Sequence, residues 1–212
     1  MRRSPQRLKE GNVNPTSKTR IFTALGAVSL LALAACGTQE PGSAAIVGGT
    51  SISESAVESN VSSLLAAQGL TRDDATIDIT QLMLDRLITT ELIEQVAADL
   101  DITADEGQLD AVIASYADQA GGIEALREYL VQQNVAPEEL ESILRVNILA
   151  EKIGTEVDPD GTPETQSMAL MQMIILYAND AGVTVNPRFG TWDVEQLAVA
   201  SNFDYLSVPA QL

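Results

Sequence analysis

Histidine does not occur anywhere in the 212 residues, and there is one cysteine, one tryptophan, three phenylalanines and four tyrosines. Without histidine, Ser-His-Asp and Cys-His catalysis are excluded, and the commonest transition-metal ligand is gone. A lone cysteine excludes an internal disulfide, so the fold is held by its core alone. Basic residues are also scarce, 12 against 30 acidic ones, for a net charge of −18. The lack of basic patches and of interleaved aromatics argues against a nucleic-acid partner.

What positive charge exists is concentrated at the start. Arg2, Arg3, Arg7, Lys9, Lys18 and Arg20 face only Glu10 across the first twenty residues, and Ile21 to Ala35 carries no charge. A basic region followed by an apolar run is the pattern of a secretory signal. The run is shorter than the ~20 residues a spanning helix needs. It ends Leu33-Ala34-Ala35-Cys36: a branched apolar residue, two small residues, then the cysteine. This resembles the lipobox of prokaryotic lipoproteins, in which small residues admit the peptidase and the thiol takes diacylglycerol as a thioether. The resemblance implies that residues 1–35 are a cleaved signal peptide. It also implies that Cys36 is lipidated and that the protein is anchored to the cell membrane on its extracytoplasmic face. Losing the leader, with its six basic residues and one acidic residue, leaves a net charge of −23. Such a surface repels anionic head groups and favours solubility.

Residues 36–44 read as a flexible tether and 45–193 as one helical domain, with 194–212 as a C-terminal tail. Ala45 to Val47 reads as a short strand stopped by Gly48-Gly49. Ser53 caps a helix to about Gln68, and Gly69 ends it. A second helix, about Ile77 to Leu100, carries a broad apolar stripe that predicts burial against more than one neighbour. Thr103 with Glu106 reads as a capping box for a third helix. Gly121-Gly122 separates that helix from a fourth, Ile123 to Gln133. Ala136-Pro137-Glu138-Glu139 opens a fifth. Asp158 to Pro163 is a linker, and a sixth helix covers about Glu164 to Ala181. Val183 to Val185 alternates as a strand, and it is expected to pair with the strand near Ile46. The expected fold is therefore mainly α: about six helices, with a short β pairing between the two ends of the domain.

No motif here carries chemistry. Ile46-Val-Gly-Gly49 matches the start of an activated trypsin-like protease, but such an enzyme needs a histidine base. Asp158-Pro-Asp160-Gly161 hints at a calcium loop but lacks the spacing and closing glutamate of an EF-hand. No metal or other cofactor is expected. Met168, Met171 and Met173 would suit an adaptable binding surface, although methionine at helical spacing more often fills a core. Tyr129, Phe189 and Trp192 are candidates to line a peptide groove, and the core is the commoner place for such residues.

The order of short strand, Gly-Gly and Ile-Ser-Glu helix (Ile46 to Val57) resembles the opening of the chaperone domain in SurA and in lipoprotein foldases such as PrsA. Ile102 to Glu106, Gly122 to Leu130, and Val135 to Leu140 with Leu144 to Ile153 resemble the helices that follow. Val183 to Asp193 looks like the tail of actinobacterial SurA-N-like lipoproteins. The resemblance implies a module that binds unfolded or exported polypeptides. Isomerases of this family carry an inserted parvulin domain of roughly a hundred residues. The Asp158–Pro163 linker leaves no room for one, and the parvulin histidines are missing. The resemblance thus implies a binding module with no isomerase activity. The alternatives are an assembly lipoprotein that docks one envelope protein, or an enzyme using carboxylates alone.

Overall fold

The computed structural model describes residues 41–201; Cys36, the leader and the residues after 201 lie outside that range. Strand β1 (Ser43–Val47) has four of its five residues buried. It is the middle strand of an antiparallel sheet, between β2 (Thr50–Ser53) and β3 (Val183–Val185). Ala45 pairs with Val185 and Val47 with Val183, so the two ends of the domain are joined as the alternation predicted. The Gly48-Gly49 pair does more than end a strand. Val47 pairs with Thr50, and the glycines have φ of +55° and +89°. Left-handed conformations at both positions make the two-residue turn that reverses the chain. A Cβ on Gly48 would also run into the carboxamide of Gln95.

Helix α1 (Glu54–Ala67) follows β2 directly. The Ser53 hydroxyl accepts from the Ala56 N–H at 3.1 Å, the cap expected from sequence. Helix α2 (Ile77–Asp99) is capped by Thr76 and buries Met83, Leu84, Ile88, Leu92, Ile93 and Val96. Its broad stripe has several partners: α1, the sheet, α5 (Leu140–Val157) and α6 (Pro163–Ala181) all pack on it. Fully burying one such Leu or Ile contributes roughly 1.5–3 kcal/mol, so α2 is the spine of the domain.

Helices α3 (Glu106–Ala120) and α4 (Ile123–Gln132) pack on each other and on α5 around a second, smaller core. That core consists of Leu109, Leu126, Leu140, Leu144 and Ile148. The cap of α3 is Asp105, whose carboxylate accepts from Gln108 N–H at 2.8 Å, and not Thr103. Thr103 instead gives its carbonyl to Lys152. Pro137–Glu139 forms a 3₁₀ turn and α5 proper begins at Leu140.

After β3, the chain makes a hairpin of β4 (Thr191–Asp193) and β5 (Ala198–Ala200). β5 falls within the stretch read from sequence as a tail, yet Val199 is buried in the main core. Two polar bonds fix the hairpin to α2. The Gln81 amide donates to the Phe189 carbonyl at 2.6 Å, and the Val199 N–H donates to Asp85 at 2.6 Å. Among the described residues, no helix is long and apolar enough to cross a membrane.

Candidate functional site

The three aromatic candidates do not form one groove. Phe189 is 4% exposed and joins the main core, with the Arg188 guanidinium 4.6 Å above its ring. It contributes the floor of a cleft of about 160 Å³ whose other walls include Glu58, Arg72 and Arg188. Trp192 is half-buried against the same core, with its indole nitrogen enclosed and unpartnered. Tyr129 lies on α4, whose Ile123, Leu126 and Leu130 belong to the second core, and is 55% exposed. A second cleft, about 450 Å³, lies between the start of α3 and α5; Ile102 is its one aliphatic lining residue. Its walls are otherwise polar, so it offers little to an apolar chain.

The charged groups are arranged for structure. Each described cation already has a partner. Arg72 and Arg188 pair with Glu58 and Glu54, Arg86 with Glu139, Arg127 with Glu124, and Arg145 with Glu106. The Lys152 ammonium donates to the Thr103 carbonyl at 2.7 Å. With 30 acidic residues against 12 basic ones in the chain, the balance stays strongly negative. Burial pushes the Asp85 carboxyl up to about 6, against the pull of the Val199 N–H it accepts. Asp85 therefore faces a backbone amide of the hairpin and not an open cleft. Asp158 accepts from the Thr165 hydroxyl at 2.7 Å and helps tie the start of α6. Among the described residues, no cluster of acids and cysteine could hold a metal ion.

The surface that sequence reasoning underrated is α6. Only Ile174 and Ala178 of its nineteen residues are buried. Met168 and Met171 are 58% exposed and Leu176 is 71% exposed, so two of the three methionines are not core. Met173 is half-buried against the main core. A signal was present in the sequence. Thr165 to Asn179 carries no charge, although the chain around it is strongly acidic. The arrangement can make apolar contacts.

A family model described as the SurA-like N-terminal domain matches residues 15–154, well over half of the chain. The match ends within α5 and does not include α6. No curated protein and no solved structure matches the chain.

Proposed function

This chain belongs to the family of SurA-like N-terminal domains, and from that premise we propose that it is a membrane-anchored module that holds polypeptides in a chaperone-like way, without isomerising prolyl bonds. The family match is the observation that carries this reading. Support comes from the direct passage of the chain from α5 to α6 through residues 158–162, with no domain inserted there. The lack of histidine in the sequence agrees with it. Recognition then rests on apolar contact and shape, and the acidic surface keeps both the holder and its complexes soluble. Cys36, by its lipobox setting, is the residue that takes the lipid and places the module at the extracytoplasmic face.

The test is suppression of aggregation. Purified full chain carrying Cys36→Ser is added in several-fold excess to a denatured, aggregation-prone protein, and light scattering is followed. Suppression that scales with the amount of chain is expected, with no acceleration of prolyl isomerisation in a peptide assay. Unchanged scattering would overturn the holding role, and an accelerated isomerisation would overturn its passive nature. For the anchor, intact mass of the wild-type protein from membranes should show cleavage before Cys36 and an added diacylglycerol.

A further inference from the structure

Exposed apolar residues on a soluble face are common singly, but a continuous uncharged stretch on a body this acidic is not. The exposed side of α6 presents Met168, Met171, Gln172, Leu176 and Asn179, with Ile175 half-buried among them. At 1.5 Å per residue, Thr165 to Asn179 extends roughly 20 Å. That accommodates six or seven residues of extended chain at about 3.3 Å each. Methionine suits varied partners because its side chain is unbranched and polarisable.

The two ends of this face differ. At its start, Thr162 caps the helix and Asp158 and Glu164 lie beside the positive end of the helix dipole. Negative charge is stabilised there. At its far end the situation reverses. Asp180 follows Leu176 by one turn and adds to the negative end of the dipole, and no basic residue occupies the last turn. The α2 terminus brings Asp99 to the same place, near the Tyr177 hydroxyl. Burial, then Asp99, Asp180 and Glu91, hold that hydroxyl above its ordinary range. No described cation pairs with Asp180 or Asp99, since each has its partner elsewhere.

We propose that the exposed face of α6 is the contact surface for an apolar polypeptide segment that ends in a lysine or arginine, with the cation placed at the Asp180 and Asp99 end. A second copy of this chain fits less well, because it would bring another strongly anionic body against the first. The proposal rests on the chaperone-like reading and assigns it a place and a charge preference.

The experiment measures anisotropy of fluorescein-labelled peptides of about twelve residues, identical except for Lys or Glu at one end, titrated with full chain carrying Cys36→Ser. The Lys peptide should bind at least about tenfold more tightly than the Glu peptide, and added salt should narrow the gap. Met168→Gln with Met171→Gln and Leu176→Gln should weaken binding by about tenfold or more without lowering Tm, because these side chains are exposed. Asp180→Lys touches no core contact and should invert the preference between the two peptides. Equal binding of both peptides, or full binding by the glutamine variant, would overturn the proposal. If aggregation is still suppressed in that case, the holding role survives and only its location falls. Loss of both would remove the functional reading as well. A dimer that the glutamine variant abolishes, with no peptide bound, would make the face a self-interface and overturn the proposal.

Discussion

The backbone N–H of Val199 in β5 donates to the Asp85 carboxylate of α2 across 2.6 Å. This bond joins the hairpin to the spine helix, and it does so with a group that resists ionisation. Loss of water pushes the Asp85 carboxyl from its ordinary 3.8 up to about 6, and the Val199 amide pulls it only partly back. The folded chain therefore binds this proton more firmly than the unfolded chain does. Stability from this group is full below pH ~4 and is lost as pH rises through ~6.

Asp85→Asn keeps an oxygen for Val199 and removes the charge. The Tm difference between variant and wild type should be near zero at pH ~4 and should move in favour of the variant by pH ~7. Thermal melts across this range check it. A difference that stays constant with pH would show that Asp85 is not the group responsible.

Glu139 is buried in the 3₁₀ turn before α5 and collects three donors. These are the Arg86 guanidinium at 2.8 Å, the Ala136 N–H at 2.9 Å and the Asn60 amide at 3.3 Å. Arg86→Met strands a buried carboxylate, and breaking such a pair costs about 3–5 kcal/mol. Glu139→Gln should cost less, because Arg86 is partly exposed and also donates to the Asn134 carbonyl at 3.1 Å. The double variant should recover part of the loss, and urea unfolding of the four proteins measures the coupling. Additive losses would mean that the two side chains act separately.

The helices were legible because capping and periodicity are local. Ser53, the Gly121-Gly122 break and the broad stripe of α2 each state their structure within a few residues. That the strand near Val183 pairs with the one near Ile46 was legible from two short strand-like runs, and the structure adds the register, Ala45 opposite Val185. Other features were not local. The cap of α3 is Asp105 and not Thr103, whose carbonyl is bound by Lys152 from a distant part of the chain. β5 is three residues long, and Gln81 and Asp85 fix its hairpin more than a hundred positions away in sequence. The exposure of Met168 and Met171 depends on which neighbours α6 has, and spacing alone gives the same pattern for core and surface. Phe189, by contrast, is turned inward and meets a cleft only as its buried floor.

Gly190 offers the sharpest test of how that hairpin is held. Its φ is +142°, a region that L side chains rarely adopt, and a Cβ there would meet the Ala200 carbonyl, the Val199 side chain and the Gln81 amide. Gly190→Ala thus combines a strained backbone, of order 1–3 kcal/mol, with collisions against both anchors of the hairpin. The helices do not depend on this residue, so the hairpin should lift while the helical body persists. Trp192, the only tryptophan, reports the event, because its ring is half-buried in the hairpin with the indole nitrogen enclosed. The variant should show red-shifted Trp192 emission and faster hydrogen exchange at Val199. Far-UV dichroism should be almost unchanged. Equal loss of helicity and of Trp192 shielding would show instead that the hairpin and helices form one cooperative unit.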